Sequence, residues 1–251
     1  MQAKYIYLPV IDSTNNELKR RAEEAVEEFT VISAGQQTGG RGRSGHVWKS
    51  PSHDSVSTSM ILYPKASVEH VSRLTLIAAM AVAAMAEELY GLSAEIKWPN
   101  DVLVHKKKVC GILTEMIPKD GEVGYVIVGI GVNVHQTGFP EDIAAMATSL
   151  DLELDGRMAS RQAVTESIWT NFLRLYREFM LTEDLSGILE EYNARLVNVG
   201  QEVRILDPLG EYTAISQGID ATGALLVKTG SGEIKRVDSG EVSVRGIYGY
   251  V

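Results

Sequence analysis

The run SRLTLIAAMAVAAMAEELYG, residues 72–91, limits what this chain can fold into more than any other segment. Alanine, methionine, leucine and isoleucine occupy much of its helical circumference, and it ends at Gly91, a residue common directly after a helix. A helix that is apolar on so much of its surface must be covered by other elements. We therefore predict that this segment is a core helix of a globular domain.

Strand-like runs lie on both sides of this helix. YIYLPVI (5–11) and FTVISAG (29–35) are rich in β-branched and aromatic residues, and VSTSMILY follows them. Three further runs come in succession, AEIKWPNDVLV, KKVCGILTEMI and YVIVGIGVNV, with HKK (105–107) as the turn between the first two. Residues 159–180 read as a long amphipathic helix and residues 185–196 as a shorter one. The pattern predicts an α+β domain.

The character of the sequence changes at about Val199. Five short strand-like runs follow within about fifty residues, divided by glycine-containing turns such as DATG and GSG. Such spacing is typical of a small all-β barrel. We predict two domains, 1–198 and 199–251, and because no long linker separates them, we expect the second to pack on the first.

Composition and charge exclude several classes of protein. With a net charge of -9 and a pI of about 5.1, the chain lacks the broad basic face of a general nucleic-acid binder. Cys110 is the only cysteine, which rules out a disulfide within the chain, and the five histidines show no metal-ligand spacing. No uninterrupted apolar stretch reaches roughly 20 residues, and the amino terminus does not resemble a signal peptide. We expect a cytoplasmic protein.

The segment TGGRGRSGHVW, residues 38–48, contrasts with this acidic balance. Its glycines permit backbone conformations that other residues avoid and allow a ligand to approach closely. Backbone N–H groups and the guanidinium groups of Arg41 and Arg43 suit a phosphate or a carboxylate. Trp48 could anchor the loop or lie over a planar ligand. The pattern favours a local anion pocket, and a solvated surface loop is the alternative.

Two more segments place polar residues at unusual positions. In KWPND, Pro99 interrupts a strand and leaves Asn100 and Asp101 at a sharp irregularity, which is either an ordinary turn or a nucleotide contact. Lys108 leads from the polar HKK turn into the apolar run VCGIL. An ammonium group held there could serve as a point charge beside an anion.

Two polar or small segments adjoin predicted strands. Gly129 and Gly131 interrupt the run GIGVNV, which indicates a bulge or the close approach of another group. The spacing is not that of a dinucleotide-binding fingerprint. In STNN, after the first strand, we interpret Thr14 as the cap of the following helix, which leaves Ser13 and Asn15 free to face a ligand.

Taken in this order, the segments resemble the biotin protein ligase family. The resemblance covers nearly the whole chain and rests on STN, QTGGRGRSGHVW, KWPND, KVCGIL, GIGVNV, ATSL (147–150), GIDATGALLV and GEVSVR. It is closest to the short form that lacks an amino-terminal DNA-binding domain. It implies a mixed-sheet catalytic domain of the class II synthetase-like, biotin/lipoate ligase fold over 1–198 and an SH3-like β-barrel over 199–251. His46 is a departure, because the family often has arginine there.

The resemblance implies a reaction in two steps. The carboxylate of biotin attacks the α-phosphate of ATP to give biotinyl-5′-AMP and pyrophosphate, and a lysine of a biotin carboxyl carrier protein then takes the biotinyl group. Biotin and ATP would be substrates and Mg²⁺ the metal. The implied partners are the carrier domain and a second copy of the chain, with no DNA and no membrane. The alternatives are a lipoate or octanoate ligase of the same fold and a non-catalytic biotin-adenylate sensor.

The resemblance also assigns residues to these steps. The biotin-binding set would be Ser13, Thr14, Asn15, Gln37, Gly40, Arg41, Gly42, Arg43, Lys108 and Gly111. The set that binds ATP or the adenylate would be Arg43, Trp48, Asn100, Lys108 and Asn133. Lys108, Arg41 and Arg43 would be catalytic. From its place at the KWPND irregularity, rather than from the resemblance, we expect Asp101 to hold Mg²⁺ or to belong to a polar network. Because the reactive adenylate must be kept from water, we expect the loop to become ordered when ligand binds.

Overall fold

A seven-stranded mixed sheet forms the centre of the fold in this computed structural model, which describes residues 1–45, 48, 53–207, 210–238 and 243–246, with the backbone alone for residues 44 and 243–246. Its strands are β1 (Lys4–Ile11), β2 (Thr30–Gln37), β3 (Ser55–Leu62), β4 (Ala94–Lys97), β5 (Asp101–Val104), β6 (Lys107–Lys119) and β7 (Glu122–Asn133). The order across the sheet is β1-β2-β3-β7-β6-β5-β4, with β1 and β2 parallel and the other pairs antiparallel. The predicted α+β class is confirmed.

Helices cover the two faces of this sheet unequally. The long helices α2 (Arg73–Tyr90) and α4 (Arg161–Thr182) pack on one face and form the main core. The short helix α1 (Thr14–Glu23) lies on the other face, against a small cluster of Leu18, Ile32, Ile61 and Ile127. The remaining α-helices in the described part of the chain are α3 (Leu150–Glu153) and α5 (Leu189–Arg195), and 3-10 helices span Arg43–Gly45, Val68–His70 and Ser186–Ile188. Because α1 is short, it covers only part of its face, over β2, β3 and β7.

The predicted core helix is confirmed as α2. It ends at Gly91, whose φ of 68° lies in the left-handed region that glycine adopts without steric cost. By length and composition alone, Val68–Tyr90, with a mean hydropathy of 1.4, is long and apolar enough to cross a membrane. Its apolar window is 67% buried inside the protein. That burial is the pattern of a core helix.

Two local predictions need correction. AEIKWPNDVLV is not one strand: β4 ends at Lys97, a turn with a cis Trp98–Pro99 bond follows, and β5 returns antiparallel from Asp101. Proline cannot donate a ladder hydrogen bond, so the strand breaks there. Thr14 is not the cap of α1 either. Ser13 takes the N-cap position without a side-chain cap bond, and the Thr14 hydroxyl bonds elsewhere.

The five predicted strands after residue 199 form a second, antiparallel sheet. They are β8 (Glu202–Leu206), β9 (Tyr212–Ile219), β10 (Leu225–Thr229), β11 (Ile234–Val237) and β12 (Ser243–Gly246), in the order β11-β10-β9-β8-β12. This module packs on the larger domain, as expected, against α2 and the turn between β4 and β5. The indole N–H of buried Trp98 donates to Gly223 O at 3.1 Å, and Arg73 Nε donates to Thr222 O at 2.9 Å.

Candidate active site

The face that α1 leaves partly open carries small side chains on three adjacent strands. Gly131 of β7 pairs with Ser57 of β3 on one side and with Gly111 of β6 on the other. Gly129, two residues along β7, pairs with Ser59. Because paired residues and residues two apart point to the same face, these five form a continuous strip. This glycine–serine strip is the floor of a trough beside α1.

Polar groups from α1 and β2 close one end of the trough. Gln37 Oε1 accepts hydrogen bonds from the backbone N–H of Thr14 at 2.7 Å and from the Thr14 hydroxyl at 3.0 Å. Thr14 Oγ1 is 2.7 Å from Ser59 Oγ, which donates to Asn15 Oδ1 at 2.5 Å. Ser13, Thr14, Asn15 and Ser59 are all buried. A hydrogen-bonded cluster of this kind can recognise a small, neutral polar ring.

The glycine-arginine loop folds back over the middle of the trough. The backbone N–H of Trp48 donates to Gly40 O at 3.0 Å, and a side chain at Gly40 would collide with the backbone oxygen of Trp48. Gly40 also lies beside Gln37, because a Cβ there would be 3.1 Å from Gln37 Nε2. The Trp48 indole rests on the strip, where a Cβ at Gly131 would be 2.5 Å from the ring and one at Gly111 would be 3.2 Å away. The glycines of GIGVNV thus permit close approach, one of the two predicted alternatives.

The buried indole N–H of Trp48 has no hydrogen-bond partner among the described residues. A buried donor left unpaired costs about 1–3 kcal/mol. Such a donor is satisfied when a ligand or water supplies an acceptor beside it. Its position over the glycine–serine strip makes the trough the place for that acceptor.

A β-bulge directs Lys108 into the trough. Val102 of β5 pairs with Cys110, whereas the next residue, Leu103, pairs with Lys108, so β6 carries one extra residue at this point. In a regular strand, residues three apart point to opposite faces. The bulge instead brings Lys108 to the face of Gly111, where a Cβ would lie 3.2 Å from Lys108 Nζ. The register shift therefore aims the ammonium group at the strip.

The ammonium group of Lys108 has two neighbours in the trough. Lys108 Nζ lies 2.7 Å from Asp101 Oδ1 and 5.8 Å from the centre of the Trp48 ring. Its backbone is held as well, since Lys108 N–H donates to Met146 O at 2.7 Å and Thr148 N–H donates to Lys108 O at 2.9 Å. A fixed backbone and a carboxylate partner hold the cation in place without enclosing it.

The two loop arginines lie in different surroundings. Arg43 is partly buried, and burial lowers its pKa while the nearby Asp101 carboxylate opposes that shift. Arg41 is more exposed, and its Nη2 donates to Glu115 Oε2 at 3.0 Å and to Asn16 Oδ1 at 2.8 Å. Arg43 therefore belongs to the Lys108 end of the trough, and Arg41 lies at the α1 end.

The two asparagines predicted to meet the adenylate flank the Lys108 strand. Asn100 Nδ2 donates to Ile112 O at 3.3 Å. Asn133 Nδ2 donates to Thr148 O at 3.0 Å and lies 3.5 Å from Lys108 O. Both side chains therefore hold backbone segments next to the trough, and a direct contact with a nucleotide remains a prediction.

Asp101 is the residue predicted to hold magnesium. The described residues contain no group of three or more histidine, cysteine, aspartate or glutamate side chains that could hold a metal ion. Mg²⁺ is commonly bound by one or two carboxylates together with substrate phosphates, so a single carboxylate beside a cationic pocket fits that use. The chemistry of the donor set is thus compatible with Mg²⁺ when a nucleotide is present.

The structure places the predicted site residues in the trough or directly beside it. Those at the α1 end are Ser13, Thr14, Asn15, Gln37, Gly40 and Arg41. Those at the Lys108 end are Arg43, Trp48, Asn100, Asp101, Lys108, Gly111 and Asn133. Gly42 lies between the two loop arginines. His46 lies outside the described residues.

Sequence reasoning missed two residues of the trough, Ser59 and Glu115. Ser59 had a signal, because Ser55, Ser57 and Ser59 occupy alternate positions of one strand and therefore share a face. Glu115 had none that stood out, since one acidic residue near the end of a strand is ordinary. Cys110 is fully buried and burial raises its pKa, which is typical of a structural thiol.

Comparison with known proteins places the chain in a family. Residues 7–133 match the model of the biotin/lipoate A/B protein ligase family, and residues 199–245 match the biotin protein ligase C terminal domain. The bifunctional ligase/repressor BirA of Bacillus subtilis (strain 168) is 36% identical over 241 residues, which are 95% of this chain and 73% of that protein. The biotin–[acetyl-CoA-carboxylase] ligase of Mycobacterium tuberculosis is 30% identical over 92% of this chain and 85% of its own.

The fold comparison agrees with the sequence comparison. The biotin protein ligase from Aquifex aeolicus, solved in complex with biotin and ATP, superimposes with a TM-score of 0.85 at 32% identity, covering 97% of this chain and 99% of that one. The mixed sheet and the small SH3-like module are therefore both those of a biotin protein ligase fold. The chain belongs to the biotin/lipoate A/B protein ligase family and, within it, to the biotin protein ligases.

Proposed function

We propose that this chain is an ATP-dependent biotin protein ligase that forms biotinyl-5′-AMP and transfers biotin to the ε-amine of a lysine on a biotin carboxyl carrier protein. The observation that carries the proposal is a single trough with two different ends. One end offers neutral hydrogen-bonding groups around Thr14, and the other offers the cations Lys108 and Arg43. A ligand with a polar ring and a carboxylate at the end of an apolar chain matches that layout.

The neutral end would bind the biotin head group. The buried side chains of Thr14 and Asn15, with Gln37 and Ser13 beside them, supply hydrogen-bond donors and acceptors to a ureido ring. The backbone at Gly40 and Gly42 would lie beside the ring, and Gly111 would leave room for the apolar tail along the strip.

The cationic end would carry the first chemical step. When the biotin carboxylate approaches the α-phosphate of ATP, negative charge accumulates between them, and fixed cations stabilise that charge. Lys108 Nζ is suited to this role because Asp101 and the bulge hold it over the strip. Arg43 lies close enough to Asp101 to share the same anions, and Arg41 could release Glu115 to add a second guanidinium group.

Mg²⁺ would neutralise phosphate charge and polarise the phosphorus–oxygen bonds. Asp101 is the residue proposed to hold it. The protein's own part is to keep Asp101 beside the Lys108 ammonium group, at the mouth of the KWPND turn. Trp48, Asn100 and Asn133 would line the adenosine side, and the free indole N–H of Trp48 is available to an acceptor there.

The second step would take place in the same trough. The incoming lysine amine attacks the carbonyl carbon of the mixed anhydride, and AMP leaves with the bond electrons. A loop closed over the trough would keep water from the anhydride until that amine arrives. The acceptor would be a biotin carboxyl carrier protein, and the name of the Mycobacterium tuberculosis relative, biotin–[acetyl-CoA-carboxylase] ligase, supports a carboxylase carrier.

Several further properties belong to the same proposal. The domains would divide at 198 and 199, between α5 and β8. The chain would work as a homodimer in the cytoplasm. The relative from Bacillus subtilis is named a ligase/repressor, but for this chain we propose the ligase activity without DNA binding, because its net charge of -9 disfavours contact with phosphate backbones.

Biotin is preferred over lipoate or octanoate as the acid. The family model covers ligases for both acids, whereas the match of residues 199–245 to the biotin protein ligase C terminal domain supports biotin. Pyrophosphate release with ATP, Mg²⁺ and each acid in turn tests this choice. Of the three acids, we expect only biotin to give pyrophosphate release. Release with lipoate or octanoate and not with biotin would overturn the proposal.

A further inference from the structure

Glu115 lies at the edge of the trough, and its carboxylate has three partners. Lys19 Nζ donates to Oε1 at 2.8 Å, Arg41 Nη2 lies 3.0 Å from Oε2, and Asn15 Nδ2 donates to Oε2 at 2.8 Å. The side chain is only 19% exposed. Two cations and an amide thus converge on a carboxylate that faces the α1 end of the trough but lies outside the set of predicted ligand contacts.

The carboxylate determines which way the Asn15 amide points. An ionised carboxylate can only accept hydrogen bonds, so the atom of Asn15 that faces it must be the Nδ2 donor. Leu113 O, at 3.4 Å from the same Nδ2, adds a second acceptor on that side. If the amide were flipped, its oxygen would face two acceptors. The arrangement therefore holds Asn15 Oδ1 toward Ser59 and the floor at Gly129.

The orientation of the Asn15 amide sets the direction of the hydrogen bonds made by two hydroxyl groups, those of Ser59 and Thr14. Ser59 gives its single proton to Asn15 Oδ1 at 2.5 Å. The 2.7 Å contact between Ser59 Oγ and Thr14 Oγ1 must then use the Thr14 proton. Thr14 Oγ1 also donates to Gln37 Oε1 at 3.0 Å, so its one proton is shared between Gln37 Oε1 and Ser59 Oγ in a three-centre bond. The result is that Asn15 Oδ1 and Thr14 Oγ1 keep unused acceptor lone pairs.

Glu115 is ionised at neutral pH. Burial raises its pKa, but hydrogen bonds from Lys19 and Asn15 and the charges of Lys19 and Arg41 outweigh that effect, and the pKa lies below its ordinary value. The acceptor-only state that orients Asn15 is thus the state present under working conditions.

We propose that Glu115 is a positioning residue that sets the hydrogen-bond direction of the Asn15–Ser59–Thr14 chain, so that the pocket presents acceptors to the N–H groups of a ureido ring. The proposal rests on the proposed function, since it assigns the ureido ring of biotin to this end of the trough. It makes Glu115 a determinant of acid specificity without any contact between Glu115 and the ligand.

Cyclic carbamate analogues of biotin test this proposal. In each analogue an oxygen replaces one ureido nitrogen, so the ring keeps its shape but one donor becomes an acceptor. Calorimetric binding to the intact wild-type protein is expected to be about 10- to 100-fold weaker for at least one regioisomer than for biotin, because acceptor then faces acceptor. In Glu115→Gln the amide of the new side chain can donate, so the Asn15 amide can turn over. The ratio of the dissociation constants of that carbamate and biotin should then fall to within about 3-fold.

Glu122→Gln, which removes a carboxylate from an exposed position in the same sheet, is the matched control and should keep the wild-type ratio. Equal ratios in wild type and Glu115→Gln would overturn the proposal while leaving biotin binding intact. A wild-type protein that binds both carbamates as well as it binds biotin would overturn it even if Glu115→Gln failed to fold. A wild-type protein that does not bind biotin at all would overturn the proposed function as well.

Discussion

Lys108 Nζ lies 2.7 Å from Asp101 Oδ1, and this pair connects two strands that the sequence separates by a turn. Asp101 is the first residue after the Trp98–Pro99–Asn100 turn, and Lys108 lies at the bulge of β6. The carboxylate holds the ammonium group at one position, over the strip that Trp48 covers. An anion entering the trough therefore meets a cation that is already oriented, which is the arrangement that favours charge stabilisation in a transition state.

Replacing Lys108 tests that arrangement. Lys108→Ala should lower the rate of biotin-dependent pyrophosphate release by about 100- to 1,000-fold, the cost typical of losing one preorganised charge-stabilising group. Lys107→Ala, next in the chain but exposed, is the control and should keep the wild-type rate. Normal pyrophosphate release by Lys108→Ala would remove Lys108 from the mechanism.

Adding a methyl group to the floor tests the contact between Trp48 and the strip. In Gly131→Ala the new Cβ would lie 2.5 Å from the indole, so Trp48 must move. Overpacking of this kind costs about 1–3 kcal/mol, which corresponds to roughly a 5- to 150-fold increase in the KM for ATP. Gly138→Ala introduces a Cβ with open space around it and should leave KM unchanged. Unchanged KM values in both variants would place Trp48 outside the nucleotide site.

The loop from Thr38 to Trp48 should be protected by the reaction intermediate. Trypsin can cut after Arg41 and Arg43, and a ligand that binds only the closed loop reduces the open fraction by mass action. At about 100 times Kd of a non-hydrolysable biotinyl-adenylate analogue, cleavage in the loop should slow about 100-fold. Cleavage after Lys119, at the β6–β7 turn, is the internal control. Equal cleavage of the loop with and without the analogue would contradict closure.

The contact between Trp98 and Gly223 should hold the carboxy-terminal module on the larger domain. Trp98→Phe removes the donor to Gly223 O and should lower the free energy of unfolding by about 1–3 kcal/mol. Hydrogen exchange should also become faster in residues 219–224. Trp169→Phe, which removes a similar indole bond to Thr58 Oγ1 within the core, should destabilise the protein without that local change. If hydrogen exchange in residues 219–224 of Trp98→Phe were as slow as in the wild type, the bond would not secure the module.

Much of the fold follows from local patterns that tertiary packing reinforces. The apolar run that became α2 and the five short strands after Val199 depend on composition, periodicity and glycine stops, and all of these are readable along the chain. The split of AEIKWPNDVLV into β4 and β5 could be predicted only in part from the sequence. Pro99 indicated a break in the strand, but not that the chain would reverse direction there.

The site was predictable as a set of residues but not as a geometry. Lys108 faces the trough because Leu103 pairs one residue out of step, and such a register shift depends on the partner strand. Glu115 matters because it meets Lys19, Arg41 and Asn15, which come from distant parts of the chain. Sequence spacing carries no information about a meeting of that kind. Its consequence, the direction of a hydrogen-bond chain, is visible only when all the partners are placed.

The most direct test of the account is the mass of a carrier domain after incubation with this protein, ATP, Mg²⁺ and biotin. We predict that the carrier gains the mass of one biotinyl group, that the gain requires ATP, and that replacing the acceptor lysine of the carrier abolishes it. An unchanged carrier mass, or a gain with lipoate or octanoate in place of biotin, would contradict the assignment of this trough to biotin transfer.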